Sequence, residues 1–243
     1  MNIPIAIPIF GRNIAQTHAL ITWIKFFRKT ESEMEVVLIT DSQSAARFKD
    51  IVAKHHMREI KRIFAYDDEE MNVFHHPLQK ADWLKANAHR DIGPCILIDT
   101  DVIFMKPPER LLNFFPVDVE IAASIDVGNR NHYLLKQRVP EINFGVVYWN
   151  SAHATKLFNA HWHDPNLAIT KRKHVTFGQI VLGDIKRQTN FKLLPMVCNW
   201  SYWELDKMGD ELPINLHFHG RVGKIKLKEM ENDLYSKVER IAS

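Results

Sequence analysis

The run Cys95-Ile96-Leu97-Ile98-Asp99-Thr100-Asp101-Val102-Ile103-Phe104 sets the tightest limit on the fold of this chain. Apolar residues lead into two aspartates spaced i and i+2, and further apolar residues follow. Such a run suits a strand buried on both faces of a mostly parallel sheet. In an extended strand alternate side chains share a face, so Asp99 and Asp101 are expected to point the same way. Carboxylates at the carboxyl end of a parallel strand stand in the crevice where open α/β sheets bind ligands. No cation stands next to them in sequence, so two co-facing carboxylates call for a divalent metal. The plain alternative is a strand ending in a solvated turn, where aspartate is common.

The composition agrees with a globular α/β protein. A chain of 243 residues with 46% hydrophobic and 25% charged residues is ordinary for a folded domain and excludes disorder, collagen and coiled coil. A net charge of +3 tolerates an anionic substrate but gives no case for nucleic acid. Cys95 and Cys198 lie in apolar or aromatic surroundings and read as buried thiols of a reducing compartment, so a cytoplasmic location is expected. Met1 to Pro8 lacks a basic leader region and carries two prolines, so it reads as a first strand. No apolar run reaches membrane-spanning length, which predicts a soluble chain and leaves peripheral membrane contact open.

Up to Phe104 the pattern alternates strand and helix. Strands are expected at Ile3 to Phe10, Glu35 to Thr40, Lys61 to Tyr66 and the opening run. Helices are expected after Asn13 (apolar stripe Ile14, Leu20, Ile21, Ile24, Phe27), from Ser42, and from Pro77 (Leu78, Ala81, Leu84 and Ala88 inward). Beyond Phe104 we expect a short helix from Arg110 to Phe115 and strands at Val119 to Ser124 and Ile142 to Trp149. A helix capped by Ser151, another from Thr176 to Gln188, strands at Phe191 to Asn199 and Ile214 to Phe218, and an amphipathic tail helix from Lys226 complete the chain. The polar segment 126–141 and the basic loop Lys171 to His174 are candidate lids. One domain over 1–243 is expected, with a nucleotide-binding half (1–104), an acceptor and sugar half (105–224) and a C-terminal helix (225–243).

Three later segments carry chemistry. His217 and His219 are i and i+2, and Gly220 and Gly223 permit close backbone approach to a ligand. Imidazole with two carboxylates suits Mn²⁺ better than Mg²⁺. Asn143 and Gly145 lie in an apolar strand, where a polar residue and a glycine let a small ligand reach the backbone. Gln179 lies near a helix start. Each has an ordinary reading in isolation: a packed histidine, a bulge glycine, a capping amide. The pairs His55-His56 and His75-His76, with His161 and His163, have poor spacings for a structural zinc site.

The order of these motifs resembles the GT-A glycosyltransferases, and more closely glycosyltransferase family 8, the glycogenin and lipopolysaccharide galactosyltransferase group. The resemblance spans roughly Ile3 to Lys224. It implies a Rossmann-like nucleotide-diphospho-sugar transferase fold, with Asp99-Thr100-Asp101 as the DxD motif and Asp99, Asp101 and His217 as metal ligands. Asp99 and Thr100, Phe10, Gly11 and Arg12, Lys80, Gly145, Gly220, Arg221 and Lys224 are implied to contact the donor. Asn143 and Gln179 are implied to act at the reacting sugar. Implied too are Mn²⁺ or Mg²⁺, a nucleoside diphosphate sugar donor of the UDP class, transfer with retention, and a glycan, glycolipid or protein acceptor. Three departures stand out: the family's Asp-Gln pair is Gly178-Gln179, Lys224 comes one residue late after the glycine, and Phe144 fills a small-residue slot, where it is expected to narrow the sugar pocket or turn it aside. Competing functions are a catalytically inactive sugar-nucleotide or glycan-binding module and a metal-dependent nucleotidyltransferase or phosphoesterase. A two-metal hydrolase calls for more carboxylates near the DxD than are present.

Overall fold

The structure is a computed structural model and describes residues 3–11, 14–67, 77–125, 142–164, 166, 177–202, 212–218, 223, 225 and 227. Strands β1 (Ile5–Pro8), β2 (Val36–Asp41) and β3 (Ile60–Tyr66) alternate with helices α1 (Ile14–Lys29) and α2 (Ser42–Lys54). Helix α3 (Pro77–Ile92) leads into β4 (Cys95–Ile98) and β5 (Val102–Phe104). Then come a 3-10 helix (Pro108–Phe114), β6 (Ile121–Ile125), β7 (Ile142–Trp149), α4 (Ala152–His163), α5 (Phe177–Ile185), β8 (Phe191–Leu194), β9 (Trp200–Ser201) and β10 (Asn215–His217).

The main sheet has seven strands in the order β3-β2-β1-β4-β7-β6-β8. The pairs β1–β2, β2–β3, β1–β4 and β6–β8 are parallel, and β7 runs antiparallel to both its neighbours. A second sheet, β5-β10-β9, has three strands. Period-2 alternation distributes the strand residues between two cores. Ile96 and Ile98 join Ile5, Ile7 and the Trp23 and Phe27 of α1 on one face; Cys95 and Leu97 join Trp83, Trp149 and Phe158 on the other. The second core is aromatic-rich: Phe144 stacks on Phe158 with centroids 6.1 Å apart, and Phe158 on Trp162 at 5.3 Å. Both cysteines are free and buried, and burial pushes each thiol up to about 12.

The expected run of β-structure from Cys95 to Phe104 is interrupted. β4 ends at Ile98, and β5 pairs in the other sheet with β10. Asp99-Thr100-Asp101 therefore forms a turn between two sheets, closed by the Val102 amide donating to the Asp99 carbonyl at 3.1 Å. The two aspartates are brought together by that turn, not by strand alternation. Two helix residues expected inside are outside: Ile14 is 69% exposed and Leu78 45%, each at the first turn of its helix, where the chain has not yet reached the sheet. The helix expected to run on to Gln188 ends at Ile185, Thr176 lies outside the described residues, and the strand expected to Asn199 stops at Leu194 because Pro195 leads into a 3-10 turn. Expectations for Asn13, residues 126–141, Lys171 to His174 and most of the tail helix lie outside the described residues. No helix among those described is long and apolar enough to cross a membrane.

Candidate active site

The site is assembled at the carboxyl ends of β1, β2 and β4. The DxD turn is fixed from two sides: the Asp99 amide donates to the Gly145 carbonyl at 3.0 Å, and the Phe218 amide donates to the Asp101 carbonyl at 2.8 Å. The second bond belongs to the β10 edge, which carries His217 to the turn. His217 Nε2 lies 3.4 Å from Asp101 Oδ1, and both residues are buried.

Among the described residues, Asp99, Asp101 and His217 form a group of donors whose ligand atoms all lie within 4.8 Å of one another. Ligands about 2.1 Å from one octahedral ion sit about 3.0 Å apart when adjacent and about 4.2 Å apart when opposite. A set with two carboxylates and one imidazole is a borderline-hard donor set. Spacing and chemistry thus fit a divalent cation.

Gly145 is what lets His217 close on the turn. A Cβ built at Gly145 would stand 2.6 Å from His217 Nδ1 and inside contact with its Cε1. The glycine amide donates to Asn143 Oδ1 at 2.6 Å, and the same oxygen accepts from Asn199 Nδ2 at 3.0 Å. Asn143 and Gly145 share one face of β7, and Phe144 takes the other. Neither expected effect of Phe144 on the sugar pocket holds: the ring is 1% exposed and packs into the aromatic core.

The residue that the sequence pattern did not reveal is Lys85. It is wholly buried on α3, and its Nζ bonds Asp99 Oδ1 at 2.6 Å and the Phe144 carbonyl at 2.6 Å. The ammonium also lies 5.0 Å from the Phe144 ring centroid, within cation–π range. So the DxD does have a cation beside it, contributed across the fold. The signal was there in outline: α3 carries Gln79, Asp82 and Lys85 at i, i+3 and i+6, one helical face, and all three are buried.

Asp82 is the other unforeseen member. Burial pushes its carboxyl up to about 8, Lys85 opposing the shift and Asp99 adding to it. It rests against the start of α5: a Cβ at Gly178 would stand 2.6 Å from Asp82 Cγ and closer still to its Cβ and Oδ2. Next to Gly178, Gln179 has a buried Oε1 that accepts no hydrogen bond among the described residues.

A second cluster lies at the ends of β1 and β2. Lys80 pairs with Asp41 at 2.5 Å and lies 5.2 Å from the Phe10 ring centroid. Asp41 also caps α2 by accepting from the Ser44 amide at 2.7 Å. Gly11 has φ +83, a left-handed conformation suited to glycine. Its amide donates to Ser44 Oγ at 2.8 Å, and its carbonyl accepts from Arg47 at 2.9 Å. Phe10, Gly11 and Lys80 thus stand together, while Thr100 stays on the DxD turn. Arg12, Gly220, Arg221 and Lys224 lie outside the described residues, as do His75, His76 and His219. His161 is engaged by Gln188 at 3.0 Å, away from any described metal-ligating group.

Residues 36–230 match the family model for nucleotide-diphospho-sugar transferases. None of the curated proteins matches the sequence significantly. Solved structures resemble the fold at low identity. Mouse xyloside xylosyltransferase 1 is 14% identical with a TM-score of 0.56, over 92% of this chain and 99% of that one. The galactosyltransferase LgtC, solved with donor and acceptor sugar analogues, is 13% identical with a TM-score of 0.65, over 95% and 96%. The glycosyltransferase GlyE of Streptococcus pneumoniae is 12% identical with a TM-score of 0.62; the match covers 97% of this chain and 64% of GlyE. The shared architecture is the GT-A fold.

Proposed function

Given that this chain belongs to the nucleotide-diphospho-sugar transferase family and is therefore a glycosyltransferase, we propose that it works with a divalent metal, Mn²⁺ before Mg²⁺. In this reading a UDP-sugar is the donor, the acceptor is a hydroxyl of a glycan, glycolipid or protein, and transfer proceeds with retention. The observation that carries the reading is the convergence of Asp99, Asp101 and His217 from two segments far apart in sequence.

In this reading those three residues hold the cation, which when bound neutralises the leaving diphosphate. Lys85 fixes the position of Asp99 and places its Nζ behind the turn. Gly145 keeps the His217 ring in place. Arg221 and Lys224, which follow His217 closely in sequence, add charge toward the diphosphate. Phe10, Gly11, Arg12 and Lys80 border the nucleotide, Thr100 and Gly220 offer backbone to it, and Asn143 and Gln179 face the sugar. No carboxylate occupies position 179, so Gln179 assists a front-face departure of the leaving group. Water exclusion matters because hydrolysis competes with transfer, and segments 126–141 and 171–174 are the lid candidates. Residues 1–104 form the nucleotide half of one domain and 105–224 the acceptor half. Two buried free thiols fit a reducing, cytoplasmic setting.

The test is incubation with a panel of UDP-sugars and Mn²⁺, reading released UDP. Metal-dependent release that disappears in Asp101→Ala is expected. Turnover that survives Asp101→Ala would refute the metal assignment, and saturable binding without any turnover would leave a binding module.

A further inference from the structure

The structure gives the site a charged side and an uncharged polar side. Lys85 and the metal-ligating set make one side suited to an anion. Beside them, at the contact of α3 with α5, stand two uncharged polar groups: the Asp82 carboxyl and Gln179 Oε1. Asp82 is 7% exposed, and no hydrogen bond to it is found among the described residues. Gln179 Oε1 is buried and equally unmatched there. Sugar hydroxyls both donate and accept, so a buried carboxyl beside an amide oxygen matches a ligand rich in hydroxyls.

Position 178 completes the case. The helix start where an Asp-Gln pair is expected has glycine instead, and any side chain there would collide with Asp82. Glycine in the first turn of α5 brings no conformational necessity, since its φ is not left-handed. It makes room. The acid absent from α5 is thus present in space, projecting from α3 into the same place.

We propose that Asp82 is the sugar-recognition carboxyl of this enzyme, reaching donor-sugar hydroxyls from α3, and that Gly178 is its structural complement. The inference rests on the nucleotide-sugar reading above. A purely structural Asp82 would instead only pack against the start of α5. The two roles separate in binding measurements.

The experiment is calorimetric titration with Mn²⁺ present, using UDP and a panel of UDP-glucose, UDP-galactose, UDP-xylose and UDP-N-acetylglucosamine. In Asp82→Asn the affinity for UDP stays within about twofold of wild type, while the preferred UDP-sugar weakens about 10-fold, on the order of one or two lost hydrogen bonds. The exchange variant Asp82→Gly/Gly178→Asp recovers at least part of the sugar affinity lost in Asp82→Gly. Equal effects of Asp82→Asn on UDP and UDP-sugar, or none on either, would overturn the Asp82 assignment alone. Failure of wild type to bind UDP and every UDP-sugar would overturn the nucleotide-sugar reading and the inference with it.

Discussion

Lys85 has no exposed surface and sits between the Asp99 carboxylate, the Phe144 carbonyl and the Phe144 ring. Breaking a buried pair from one side leaves an uncompensated charge, which costs more than the intact pair contributes. Lys85→Met is expected to lower unfolding stability by about 3 kcal/mol, read by urea denaturation. Arginine does not replace it, because the planar fork is too large for a site closed by Phe144 and needs different acceptors. Gly145→Ala acts on a different atom: its methyl drives into the His217 ring. Mn²⁺ affinity should fall about 10–100-fold in that variant, as when a group orienting a metal ligand is lost, with the fold retained by far-ultraviolet circular dichroism. Asp82 carries a pH signature. Its carboxyl is raised by burial to about 8, so the folded state holds its proton where the unfolded chain has lost it. The contribution to stability therefore declines as pH rises from about 4, the unfolded value, to about 8, and is flat above. Metal-free Asp82→Asn should lack that decline and be more stable than wild type by about 1–3 kcal/mol at pH 9, as measured by denaturation across pH.

At the scale of elements, α3 is what makes the site. Most globular helices bury one stripe, yet every described residue from Gln79 to Ala88 other than Lys80 is buried, because α3 is clasped between the main sheet, α4 and α5. Its polar face then has nowhere to go but the site. The sequence pattern foretold this helix from Pro77 and its apolar residues, but not the direction of Asp82 and Lys85, since partners on β4, β7 and α5 fix that direction. The main-sheet strands were legible from apolar runs, and β7 from Ile142 to Trp149 agrees in both bounds. The end of β4 was not legible: Val102 to Phe104 are as apolar as Cys95 to Ile98, and only pairing with β10 assigns them to another sheet. The trio of Asp99, Asp101 and His217 was foreseeable by residue type and its convergence was not, because His217 arrives through tertiary pairing of β10 with β5. A consequence belongs to this scale. Leu216→Pro in β10, which removes an amide and stiffens the edge, should abolish Mn²⁺ binding along with disturbing β5, whereas the same change at exposed Val117 should leave binding intact.

For the whole molecule, two cores on opposite faces of one sheet carry the stability, and each holds one free thiol: Cys95 among the aromatic residues, Cys198 with the opposite cluster. Both are pushed up to about 12 by burial, so neither supplies thiolate near neutrality. A thiol reagent at pH 8 should leave the folded chain almost unmodified and titrate two groups in guanidinium. Fast labelling of the native chain would mean that a core opens at low free-energy cost. The GT-A architecture then has a rigid floor, β1, β2 and β4, beneath a site whose walls come from β7, β10, α3 and α5. The most direct measurement of what that arrangement is for is an electron paramagnetic resonance titration of Mn²⁺, with and without UDP. One bound Mn²⁺ per chain, tightened by UDP and weakened more than about 100-fold by Asp101→Ala or His217→Ala, is the predicted result. Mn²⁺ bound equally well by His217→Ala, with UDP making no difference, would show that Asp99, Asp101 and His217 do not form the metal site of a nucleotide-sugar enzyme.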